Sequence, residues 1–135
     1  MKARQSLKIR ELGEALTAEG LVTLDEQAIA LGLCRSTTWT ILKGNHKSSG
    51  LSATVINRML AAPQLPPLVR SKILEYVEDK TAGLYGHSKA QVSRFTARLS
   101  VEVIAWARRE VDVEYNGTVN RVPLNVVANA GQMLD

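Results

Sequence analysis

The sequence predicts a mainly α protein: five short helices, then a sixth, then a small β-hairpin. Three observations predict it. Apolar residues recur at three- and four-residue spacing through most of the chain, and capping residues stand just ahead of those stretches. The one strict apolar–acidic alternation, Val111-Asp112-Val113-Glu114-Tyr115, sits beside the two-residue turn signal Asn116-Gly117.

The elements follow in order. Ser6 to Glu19 carries Ile9, Leu12 and Leu16 at helical spacing, with charged residues between them and Gly20 as the stop. Thr23-Leu24-Asp25-Glu26 has the form of a capping box, in which the threonine hydroxyl accepts from a first-turn amide and the glutamate reaches back. A short helix to Leu31 follows, broken by Gly32. Leu33 is the apolar plug of a tight turn, and Ser36 to Lys43 is again helical until Gly44. Ser52 caps a fourth helix with Val55, Ile56, Met59 and Leu60 on one face. Pro66-Pro67 opens a fifth, whose buried stripe is Val69, Ile73, Leu74 and Val77, while Glu75, Glu78 and Asp79 face water. Thr81 to Gly86, with two glycines, marks a boundary between residues 1–82 and 83–135. Beyond it Ser88-Lys89-Ala90-Gln91 is a second capping box. It leads a helix with Val92, Phe95 and Leu99, extending toward Ile104 and Trp106.

The 135 residues are 45% hydrophobic and 22% charged, which is too apolar for a disordered chain, and no apolar run is long enough for a membrane span. The start lacks the apolar block of a signal peptide, so a cytoplasmic protein is expected. Cys34 is the sole cysteine, and His46 and His87 are isolated, so neither a disulfide nor a metal site is expected. No phosphate-cradling glycine loop, nucleophile elbow or carboxylate pair beside a histidine occurs, and no catalytic residue or cofactor is assigned. The formal net charge is +4. Its distribution says more: between Glu26 and Glu75 there is no acidic residue, whereas Arg35, Lys43, Lys47, Arg58, Arg70 and Lys72 lie there. Such a gap either focuses positive potential or is balanced by acidic groups brought in from elsewhere in the fold.

Inside the gap, Ala28, Gly32, Leu33 and Ile41 supply a small residue at a helix crossing, a residue tolerant of positive φ, and two apolar anchors. The segment Ala28 to Gly44 thereby resembles the lambda-repressor-like helix-turn-helix family, the Cro/repressor type that includes lactose-repressor headpieces. Gln27 and Thr38 depart from the aliphatic residues usual there. The likeness covers about Leu7 to Lys80. It implies a five-helix double-stranded-DNA-binding domain over 1–82, a transcription regulator rather than an enzyme, with residues 36–42 as the recognition helix in the major groove.

On that resemblance Arg35, Ser36, Thr37, Trp39 and Thr40 are candidates for bases. Arg35 leads them, since guanidinium donates two parallel bonds to guanine. Trp39 is either a groove-facing aromatic or a core residue, and Cys34 a small packing residue of the turn. Lys43, Asn45, His46, Lys47 and Ser48 fall at the exit of that helix, where they would hold phosphates. Lys2, Arg4, Lys8 and Arg10 would add phosphate or minor-groove contacts. Twofold symmetry on a palindromic site favours a homodimer, with residues 83–135 as a dimerisation or effector element carrying Phe95, Leu99, Ile104 and Trp106. The competing reading is a protein–protein interaction module that reuses the same fold, with a partner bound through the C-terminal region.

Overall fold

The computed structural model describes residues 2–43 and 50–120, with side chains over 3–43 and 50–112. The described residues form α1 (Lys2–Ala18), α2 (Leu24–Leu31), α3 (Arg35–Leu42), α4 (Ala53–Leu60), α5 (Pro67–Thr81), α6 (Lys89–Arg98) and α7 (Val101–Asn120). No helix among them is long and apolar enough to cross a membrane.

The local signals act as expected from their chemistry. Thr23 and Glu26 form both arms of the capping box, each at 3.1 Å, and the backbone and side-chain bonds from Thr23 hold the Glu26 carboxyl below its ordinary range. Ser88 and Gln91 form the second box, at 2.9 and 3.2 Å. Ser52 Oγ accepts from Val55 N, and Pro67 occupies the first turn of α5.

α5 is the central element, packed against α1, α4, α6 and α7. Besides Val69, Ile73, Leu74 and Val77 it buries Arg70, Tyr76 and Lys80, a wider face than one apolar stripe. Glu75 and Asp79 are only half-exposed, because Glu75 pairs with Lys8 and Lys72 (3.3 and 3.6 Å) and Asp79 with Arg4 (3.2 Å). Those partners also explain why α1 begins at Lys2, ahead of the expected Ser6: its first turn is tied to α5. Gln5 there is buried and accepts from the Tyr76 hydroxyl at 2.8 Å.

Tyr76 belongs to a buried polar clamp on the chain entering α4. Its hydroxyl oxygen accepts from Leu51 N at 2.9 Å, and Lys80 Nζ donates to Leu51 O at 2.8 Å. Gly50 sits over the clamp at φ 75°, and a β-carbon there would overlap Gln5 Oε1 and Tyr76 Oη.

The C-terminal half differs from expectation. The sixth helix stops at Arg98, with Leu99 extended (φ −69°, ψ 141°), and α7 restarts at Val101. Asn57 of α4 fixes this break: its Nδ2 donates to Arg98 O (3.0 Å) and its Oδ1 accepts from Ser100 N (2.9 Å). Ser100 Oγ then accepts from Val103 N.

The expected β-hairpin is corrected: Val111 to Tyr115 and Asn116-Gly117 lie within α7. Val103, Ile104, Ala107 and Val111 pack on the core at helical spacing, so this period prevails over the local alternation and turn signal. Arg121, the expected cross-strand partner of Asp112, lies outside the described residues. Phe95 is buried, and Leu99 and Ile104 pack against the same core, so three of the apolar side chains assigned to dimerisation have intramolecular partners. Trp106 remains 37% exposed, 5.1 Å from the guanidinium carbon of Arg70.

Candidate nucleic-acid interface

The candidate site is the outward face of α3, and the turn before it sets its orientation. Gly32 ends α2 in the left-handed region (φ 70°), and Leu33 N donates back to Ala28 O at 3.1 Å. The left-handed φ favours glycine, and a β-carbon on Gly32 would also press to 3.0 Å from Ala62 Cβ of the chain after α4. Leu33 is buried, and α3 starts two residues later.

Thr38 and Ile41 bury the inner face of α3. Thr38 is fully buried, and its hydroxyl donates to Cys34 O at 2.9 Å, so the polar atom is satisfied within the helix. Gln27 donates from Nε2 to Leu21 O at 2.8 Å.

Arg35, Ser36, Trp39, Thr40 and Lys43 remain exposed at helical spacing on the opposite face, with Thr37 half-buried at its edge. Trp39 is therefore a surface residue, 45% exposed, in a shallow depression with Leu24, Cys34, Arg35, Ser36 and Thr40. The hydroxyls of Ser36 and Thr37 engage Cys34 Sγ at 3.5 and 3.0 Å, and Thr40 Oγ1 donates to Ser36 O at 3.0 Å. Arg35 pairs with Asp25 of α2 at 3.4 Å. Both side chains are 69% exposed, and a pair of that kind contributes at most about 1 kcal/mol, so the guanidinium can exchange partners at little cost.

Cys34 is not a packing residue of the turn. It is the exposed N-cap of α3, and hydrogen bonds from the Ser36 and then the Thr37 hydroxyl hold its thiol down to about 7, against an ordinary 9.0. Hydroxyls two and three residues after a cysteine at a helix start were the signal for this. Among the described residues no cluster of His, Cys, Asp or Glu is arranged for a metal ion.

The acid-free stretch resolves into several environments. Lys72 gains Glu11 and Glu75, and Arg35 gains Asp25, from outside the gap. Arg70 is buried beneath Trp106. Lys43 and Arg58 are exposed and form no ion pair among the described residues. Arg4 and Lys8, expected to add phosphate or minor-groove contacts, are engaged by Asp79 and Glu75. Asn45, His46, Lys47 and Ser48 lie outside the described residues.

No family model, curated protein or solved structure matches the chain.

Proposed function

We propose that the chain binds double-stranded DNA in a sequence-specific way, with α3 in the major groove, and acts as a transcription regulator. The observation that carries this reading is the two-faced character of α3. One face is locked by Thr38 and Ile41, and the other offers Arg35, Ser36, Trp39 and Thr40 with Lys43 at its exit. An α-helix with its side chains is about 10–12 Å across and the major groove is about 12 Å wide, so a helix such as α3 suits that groove in scale. Arg35 supplies a bidentate donor for guanine, the hydroxyls of Ser36 and Thr40, with Thr37 at the edge, accept or donate, and Trp39 offers apolar surface to thymine methyls. Lys43 neutralises phosphate, with Asn45, His46, Lys47 and Ser48 following it in the chain. Within this reading α1 to α5 form a five-helix helix-turn-helix unit, and the chain acts as a homodimer on a two-fold site.

One observation favours a second reading. Val22, Ile29 and Trp39 are all exposed (66, 62 and 45%), and apolar side chains around α2 and α3 also suit a protein partner.

Binding of the purified chain to a random duplex pool at several salt concentrations, followed by sequencing of the retained duplexes, tests the two. The DNA reading predicts a log binding constant that falls linearly with log salt, with a slope of about 0.9 per phosphate contact, together with an enriched motif. Absence of duplex binding at low salt would leave the protein-partner reading.

A further inference from the structure

A second cavity, of about 240 Å³, lies between the amino end of α4 and α6. Ser52 and Ala53 line it on one side and Arg94, Phe95 and Arg98 on the other, with Lys80 of α5 and His87 also in its wall. Among the described residues no carboxylate lines it, and Arg94 and Arg98 form no ion pair. Lys80 is only 6% exposed. Its ammonium lies 4.3 Å from the Phe95 ring centroid and donates to Leu51 O, and burial pushes its pKa down to about 8. The described wall thus carries a buried lysine and two exposed arginines next to the amino terminus of α4, itself partly positive.

We propose that this cavity, walled by Lys80, His87, Arg94 and Arg98 at the amino end of α4, holds a phosphate group. Its size favours one phosphate with its immediate substituents. Pockets for whole small molecules run to about 300–1,000 Å³, more than this cavity offers. The guanidinium groups of Arg94 and Arg98 supply planar forks that match phosphate oxygens, and Ser52 adds a hydroxyl. Two sources carry the same chemistry, a phosphodiester of a bound duplex and a free phosphate ester. The duplex source rests on the DNA reading above, and the free source does not.

The test follows amide chemical shifts of the full chain during titration with inorganic phosphate, against chloride at matched ionic strength, and then with duplex DNA. Saturable shifts at Ser52, Ala53 and Gln91 with phosphate are expected, weakened at least tenfold in the Arg94→Ala/Arg98→Ala variant. Both side chains are exposed, so the variant should keep the parent's circular dichroism. If the duplex is a source, the same variant lowers the salt slope of DNA binding by about two contacts' worth. Phosphate shifts in a chain that binds no duplex would uphold the cavity and remove the DNA reading. Duplex binding that depends on α3, with the cavity amides unmoved by phosphate and by DNA, would overturn this proposal and leave the DNA reading standing.

Discussion

The two ends of the connection between α3 and α4 are held by opposite means. At Lys43 the chain leaves a helix whose outward side chains bond only to near neighbours: Ser36 and Thr37 to Cys34, Thr40 to Ser36 O, and Arg35 to an exposed Asp25. At Gly50 and Leu51 it enters a buried clamp in which Gln5, Tyr76 and Lys80 come from helices far away in sequence. Exposed groups with local bonds exchange partners at little cost, whereas buried polar groups lose a full desolvation term when a partner is removed. The outward face is thus free to be tuned for a ligand, while the clamp fixes the frame that presents it.

Substitutions should separate the two ends. The largest effect is expected at the clamp: Gly50→Ala adds a strained left-handed alanine and an overlap with Gln5 and Tyr76, costing about 2–4 kcal/mol in urea unfolding. A stability within error of the parent would mean that the clamp does not bear on folding. Tyr76→Phe should cost about 1–3 kcal/mol, because Leu51 N and Gln5 Oε1 both lose the hydroxyl. It should leave any preference among duplex sequences unchanged once binding is normalised to folded protein.

A smaller effect concerns pH. Lys80 holds its proton less tightly in the folded chain (about 8) than in the unfolded chain (10.5), so its burial penalty is fully present below about pH 8 and is relieved as pH rises from there. Stability should therefore rise between about pH 8 and 10. Above that the buried Tyr76 and Tyr85 hydroxyls act in the opposite direction: burial raises their pKa values above the ordinary 10.0, so stability falls as unfolded tyrosines ionise. Cys34, lowered to about 7, adds a rise between pH 7 and 9 that the parent and a Lys80→Met variant share. Equal pH slopes for the two proteins above pH 8 would contradict the assignment to Lys80.

The same contrast explains what could be read from the sequence. The boxes at Thr23–Glu26 and Ser88–Gln91 and the Ser52 cap place donor and acceptor within three residues, so the chain itself displays them. The break at Ser100 depends on Asn57, and the first turn of α1 on Tyr76 and Asp79, partners more than forty residues away. Asn116-Gly117 is a strong local turn signal, yet it lies in the last turns of a long helix whose earlier residues pack on the core. At the site, the exposed face of α3 follows from helical period once Ile41 is taken as an anchor. Trp39 was ambiguous because position 38, which takes the inward place, is a threonine, and only its bond to Cys34 O shows how it does so. Nothing local in the sequence distinguishes Lys80 and Arg70 from surface charges; their burial follows from the packing of α6 and α7 over α5.

The central claim, that the outward face of α3 reads bases, is tested most directly at Arg35. Arg35→Ala should leave unfolding within about 1 kcal/mol of the parent, since it removes only an exposed ion pair. On a selected duplex it should cost about 1–3 kcal/mol of binding and relax the preference at one base pair, the size expected for a lost bidentate contact. Lys43→Ala, measured beside it, should weaken binding to all sequences alike and reduce the salt slope by about one contact. Binding of both variants to matched, single-mismatch and unrelated duplexes gives the answer. A parent that does not distinguish these duplexes, or an Arg35→Ala variant that loses affinity equally on all of them while Ser36, Trp39 and Thr40 variants do the same, would contradict base reading by α3.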